Sequence, residues 1–200
     1  MKILVLDNYD SFTYNLVQLI RELGYSKDMD VIRNDKITLE EVEAYDHILL
    51  SPGPGLPSEA GIMPELIQKY APTKNILGIC LGHQGIAEAF GAQLYNLPDV
   101  LHGVATPIKV VSDTESLFRE VPKEFKGSRY HSWAVVPESV TPDLEVTSVD
   151  EKGQIMGLRH RKFAVKGLQF HPESVLTEHG KTMIKNWLTK SNKPKGRWIG

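Results

Sequence analysis

Apolar residues recur along this chain in two rhythms. Residues 3–6, 31–32, 47–50 and 76–79 form short apolar runs that read as strands, whereas Phe12, Leu16, Leu19, Ile20 and Leu23 share one face of a helix. Asp10 or Ser11 is placed to cap that helix and Gly24 to end it. Leu81, Ile86, Ala87, Ala89 and Phe90 make a second helical face that stops at Gly91. Strands alternating with helices predict an α/β fold, a parallel sheet with helical crossovers. Sites in such sheets form beyond the carboxyl ends of the strands, where residues 7–11, residues 51–58 and Cys80 would emerge together.

The texture changes after Val104. Residues 107–111, 144–149, 154–159 and 163–168 read as short strands between Asp, Gly, Pro and Lys turns, and we expect them as antiparallel additions to the same sheet. Thr177 is then expected to cap a last helix reaching about Leu188, followed by a basic tail over 191–200. A chain of 200 residues without repeats or a marked linker suits one domain, over 1–190. The net charge of −2 is evenly scattered, which leaves no basic face for nucleic acid or membrane. The opening apolar run is too short for a signal peptide, no stretch could span a bilayer, and the single cysteine precludes an internal disulfide. A cytoplasmic protein is expected.

That cysteine, Cys80, falls where the 76–79 strand meets the following helix, with Gly78 and Gly82 two residues to either side. The spacing matches a nucleophile elbow with sulfur in place of oxygen: the glycines let the backbone turn sharply, and the thiol is expected to stand exposed. The helix N-terminus favours its thiolate form. In Phe170-His171-Pro172-Glu173, Pro172 holds the chain extended, so that imidazole and carboxylate project to one side. Glu173 would then fix the tautomer of His171 and leave the other ring nitrogen to exchange a proton with sulfur. Ser51-Pro52-Gly53-Pro54-Gly55-Leu56-Pro57-Ser58 is a rigid loop whose amides suit an oxyanion, and it lacks the Gly-Lys-Ser/Thr of a phosphate loop. His47, His160 and His179 read as structural or exposed, while His83, His102 and His131 stand closer to the motifs. None has metal-ligand spacing, so no metal is expected.

With these motifs in this order, the chain resembles the class I (triad-type) glutamine amidotransferases over nearly its whole length. The marks are Asp7-Asn8-Tyr9-Asp10-Ser11-Phe12-Thr13-Tyr14-Asn15, Ser51 to Gly55, Gly78-Ile79-Cys80-Leu81-Gly82-His83-Gln84, Tyr130-His131-Ser132 and Gln169 to Ser174. The first looks like the branch that supplies small subunits to anthranilate and aminodeoxychorismate synthases. The resemblance implies a three-layer, flavodoxin-like fold with a central, mostly parallel sheet. It also implies hydrolysis of L-glutamine through a Cys80 thioester, with ammonia passed to a heteromeric partner, the chorismate-using synthase subunit. Cys80, His171 and Glu173 would be the triad; Leu81 and the Gly53-Pro54-Gly55 loop would bind the oxyanion; Gln84, Ser132 and Trp133 would hold glutamine. No cofactor is implied for this chain, and Mg2+ only for the partner. Trp133 stands where the family usually has a smaller aliphatic residue, and Val104 where a basic residue often follows His102-Gly103. Two other classes fit the same elbow: a non-catalytic regulatory module, and a stand-alone cysteine hydrolase of another amide or ester. Retention of Cys80, His171 and Glu173 argues against the first, and the aromatic 7–15 loop against the second.

Overall fold

A computed structural model describes residues 1–189, so the expected 191–200 tail lies outside the described residues. Eleven strands appear in chain order: β1 (Ile3–Asp7), β2 (Met29–Arg33), β3 (His47–Leu50), β4 (Asn75–Ile79), β5 (Leu94–Asn96), β6 (Val104–Val110), β7 (Glu124–Arg129), β8 (Trp133–Val135), β9 (Leu144–Asp150), β10 (Ile155–His160) and β11 (Val165–Leu168). Helices are α1 (Thr13–Glu22), α2 (Leu39–Val42), α3 (Met63–Tyr70), α4 (Leu81–Ala89) and α5 (Gly180–Leu188). Nine strands form one sheet in the order β2-β1-β3-β4-β11-β10-β9-β6-β7, while β5 and β8 pair separately. The first five of that order are parallel and the rest antiparallel. No helix among the described residues is long and apolar enough to cross a membrane.

The apolar runs are nearly unbroken because the sheet is covered on both sides. Alternate residues of the parallel strands face opposite ways: Leu4, Leu6, Ile48, Leu50 and Ile76 pack with α3 and α4. Ile3, Val5, Leu49, Leu77 and Ile79 pack with α1 and α5. The result is the expected three layers.

Three expectations change. Neither Asp10 nor Ser11 caps α1: Phe12 occupies the N-cap position without a side-chain capping bond, and Asp10 Oδ1 accepts from Phe12 N at 2.7 Å instead. The 163–168 run is no antiparallel addition, because β11 lies parallel to β4 in the register Val165↔Ile76 to Leu168↔Ile79, and antiparallel only to β10. It therefore completes the parallel sheet and delivers its C-terminal end beside that of β4. Thr177 is not the cap of α5 either. His179 occupies that position in a left-handed conformation, φ 60°.

Candidate active site

The turn between β4 and α4 is strained at one residue. Cys80 has φ 53° and ψ −100° as the N-cap of α4, a conformation worth about 1–3 kcal/mol of local strain. Its N–H donates to Leu168 O on β11 at 2.8 Å and its carbonyl accepts from Gln84 N at 3.0 Å, so both neighbouring elements hold it there. Gly78 and Gly82 do not absorb the turn; neither has positive φ. They permit contact instead: a Cβ on Gly78 would lie 2.4 Å from the Gly82 carbonyl oxygen, and one on Gly82 2.5 Å from Leu50 O. The strain sits on Cys80 and the glycines let strand and helix close around it.

The thiol is not held out in solvent, as the elbow pattern led us to expect. Cys80 is only 6% exposed. Tyr130 O lies 3.8 Å from Sγ, and Gln169 Nε2 donates to Sγ at 3.6 Å, two groups from the residues just after β7 and β11 that the turn alone does not reveal.

His171 Nδ1 donates to Glu173 Oε1 at 2.5 Å, both side chains being almost fully buried. Nε2 is buried and makes no hydrogen bond of full geometry, although Cys80 is close enough to act on the ring. Burial alone would push this imidazole down, but Cys80 and Glu173 together outweigh it and raise its pKa to about 10. The ring is flanked by Phe12 and Tyr130, with centroids at 5.3 and 5.2 Å. Phe12 comes from the 7–15 segment, so that segment reaches His171.

The chain carrying His171 is fastened along the outer edge of β7. His171 N donates to Ser128 O at 2.9 Å, Ser128 N to Thr177 Oγ1 at 2.9 Å, and Glu178 N to Lys126 O at 2.9 Å. Lys126 N donates to Glu178 Oε2 at 3.0 Å, and Thr177 Oγ1 donates to His171 O at 2.6 Å. Thr177, freed from capping, thus ties His171 to the sheet.

The proline-glycine loop meets the elbow at one residue. Gly53 is wedged between Asn8 and Leu81, since its Cβ would fall 2.7 Å from Asn8 O and 2.8 Å from Leu81 Cδ2. Asn8, itself 2% exposed, is fixed by Ser51 and Asn34. Pro54 and Gly55 are exposed, and Gly55 turns against Glu59. Of the three loop residues, the structure brings Gly53 beside Leu81.

Gln84, Ser132 and Trp133 converge, with their polar groups partly spent. Gln84 Nε2 donates to Trp133 O at 2.9 Å and to Gln169 Oε1 at 3.2 Å. Both amide hydrogens are then committed, leaving Oε1 as the free polar atom. Trp133 O also receives His131 Nδ1–H at 2.8 Å, and Ser132 O accepts from Leu97 N at 2.7 Å. His131 Nε2 in turn accepts from Arg129 Nε at 3.1 Å, so the ring is neutral with its proton on Nδ1. Burial is the main cause that pushes its pKa down to about 4. Arg129 reaches Asp150 at 2.7 Å and Gln154 at 2.5 Å. A continuous polar chain therefore runs Asp150–Arg129–His131–Trp133–Gln84–Gln169–Cys80. Sequence reasoning gave no role to Gln169, Arg129 or Asp150; an amide between the apolar Leu168 and Phe170 was the available signal, since buried amides require partners. Of the remaining histidines near the motifs, His83 is buried against Gly167, chiefly by burial at a pKa of about 3, and His102 is exposed.

Comparison with known proteins agrees with this geometry. The chain is 49% identical over 192 residues to anthranilate synthase component 2 of Thermus thermophilus, covering 94% of this chain and 92% of that one. It is 43% identical over 188 residues to aminodeoxychorismate/anthranilate synthase component 2 of Bacillus subtilis, covering 93% and 95%. A longer relative from Thermotoga maritima, 45% identical, is spanned over only 32% of its length. Among solved structures, a Thermoplasma acidophilum protein described as a GMP synthase component superposes with a TM-score of 0.83 at 28% identity, covering 94% and 92%. The profile of glutamine amidotransferase class-I matches residues 4–191. The chain belongs to the class-I glutamine amidotransferase family.

Proposed function

We propose that this chain hydrolyses L-glutamine to glutamate and ammonia and passes the ammonia to a separate subunit that aminates chorismate. One observation carries the reading: a strained cysteine at a helix N-terminus acts directly on a buried imidazole whose Nδ1 is held by Glu173. In this mechanism Cys80 Sγ attacks the carboxamide carbon, and N–H groups of Leu81 and the Gly53 loop receive the oxyanion. His171 Nε2 gives its proton to departing ammonia. Water then attacks the thioester carbonyl while Nε2 takes its proton, the carbon–sulfur bond breaks, and the electron pair returns to sulfur. Glu173 stabilises the imidazolium throughout. Gln84 contributes Oε1 as an acceptor for a substrate N–H, and Ser132 and Trp133 complete the glutamine site. These steps run on protein groups, and we assign no cofactor to this chain and Mg2+ to the partner.

The Thermus relative supports anthranilate synthase component II of tryptophan biosynthesis as the first reading. The double name of the Bacillus relative supports aminodeoxychorismate synthase, or service to both, as the second. Tyr9 and Tyr14, 46% and 65% exposed, suit docking of the synthase partner. A cysteine that is only 6% exposed suits activity that awaits the partner. The test mixes the purified chain with each candidate synthase, glutamine and chorismate, and identifies the aminated product. Product should form from glutamine with at least one synthase and be abolished by Cys80→Ser, which leaves partner binding intact. Failure of both pairings with glutamine while free ammonia supports both would refute the assignment, and persistent activity of Cys80→Ser would refute the thioester.

A further inference from the structure

Gln169 is the residue after β11, fully buried between Leu168 and Phe170. Its backbone N–H is tied to Met156 O at 2.9 Å, which fixes where its side chain starts. A leucine would pack there at no cost in desolvation, so a buried amide at this point needs a use.

The direction of the amide follows from its neighbours. Trp133 O can only accept, so the NH2 group of Gln84 must face it. That same NH2 group reaches Gln169 Oε1, which turns the Gln169 NH2 group toward sulfur. A backbone carbonyl thus sets the orientation of two successive amides, and the donor at the end of the row is aimed at Cys80 Sγ.

We propose that Gln169 is a further catalytic residue: its Nε2–H donates to the Cys80 sulfur and stabilises negative charge there whenever the carbon–sulfur bond is absent or breaking. This rests on reading Cys80 as the nucleophile. A thiolate is a good acceptor and a thioester sulfur a poor one, so the donor favours the free anion before attack and the departing anion during hydrolysis of the intermediate. His171 cannot perform the second task alone. While water attacks, Nε2 is occupied in taking the water proton, whereas the amide donor does not titrate and stays in place.

The test uses the full-length chain carrying Gln169→Met, which keeps the length and removes the donor, with Gln169→Leu as a second variant and near-ultraviolet circular dichroism as the fold control. Iodoacetamide alkylation of Cys80 is followed against pH without glutamine, so it reads the sulfur independently of the glutaminase assignment. The expected result is a profile displaced upward by about one pH unit, the order a hydrogen bond to the charged form produces. With the synthase partner and glutamine present, acid-quenched mass spectrometry should find a several-fold larger share of glutamyl thioester. An unchanged alkylation profile in a folded variant, with only a raised KM, would overturn the proposal and leave Gln169 as a brace for Gln84. A displaced profile without any thioester from glutamine would instead keep the sulfur contact and reject the glutaminase reading.

Discussion

Asp150→Asn should destabilise the fold by about 3 kcal/mol, because it strands a buried cation. The Arg129 side chain is 4% exposed and that of Asp150 6%, and the pair closes at 2.7 Å. The other hydrogen-bond partners of the guanidinium are neutral: His131 Nε2 and Gln154 Oε1. Breaking a buried pair from one side costs about 3–5 kcal/mol, and asparagine keeps one acceptor oxygen, which places the effect at the lower end. That oxygen cannot serve both ends. Asp150 Oδ1 also accepts from Lys152 N at 2.9 Å and Gln154 N at 2.8 Å, so in either orientation the new NH2 group meets donors. Against a total stability of about 5–15 kcal/mol, the loss is large. Urea unfolding at neutral pH measures it, with Arg129→Met and the double variant closing a cycle whose coupling should exceed about 1 kcal/mol. Because Arg129 holds His131 and His131 holds Trp133 O, the KM for glutamine should rise as well. A cost below about 1 kcal/mol with no coupling would refute the reasoning, since it would mean that solvent already screens the pair.

Gly78→Ala places a methyl group 2.4 Å from the Gly82 carbonyl, so β4 and α4 must separate at the elbow. We expect a loss of about 1–3 kcal/mol in unfolding and of about 100-fold in kcat, and undiminished turnover would show slack at the turn. Stability should also peak near pH 6.5. His131 and His83, lowered to about 4 and about 3, stay neutral in the fold while the unfolded chain takes up protons below about 6.5, so their contribution is full above that pH and falls as acid is added. His171, raised to about 10, works the other way: its contribution is full below about 6.5 and is lost as pH rises through about 10. Each group gives a slope near 1.4 kcal/mol per pH unit in its window, and a urea midpoint flat between pH 4 and 6.5 would contradict the first assignment.

The sheet and the elbow were legible because their information is local. Apolar runs at 3–6, 47–50 and 76–79 and the helical faces after them state the β-α alternation directly, and Cys80 between two glycines marks a turn. His171 and Glu173 were legible as a pair, two residues apart around a proline, but the segment is not the extended chain expected there: it turns, with Ser174 N donating to His171 O at 3.3 Å, and the turn brings carboxylate and ring together. What failed was long-range. The parallel pairing of β11 with β4 joins residues almost ninety positions apart, and nothing within 163–168 specifies its neighbour. β7, with Glu124, Lys126 and Arg129 in six residues, carries too little alternation to read as a strand, although its inward residues Phe125 and Gly127 are buried. The burial of Cys80 is not legible in the turn because the groups beside its sulfur come from Tyr130 and Gln169. Thr177 was assigned to a helix it does not cap because a hydroxyl near a helix start is ambiguous until its partners, Ser128 N and His171 O, are placed.

The fastening of the 171–178 segment to β7 has a consequence for solubility. β7 is the last strand of the nine, and an edge strand offers unpaired N–H and C=O groups to any passing chain. Here those of Lys126 and Ser128 are taken by His171, Thr177 and Glu178. The bonds that hold His171 also close the sheet against intermolecular strand addition. A change that loosens this segment, such as removal of the Thr177 hydroxyl, would open the edge at the moment it releases the imidazole, and lost activity and aggregation would then arrive together as one event.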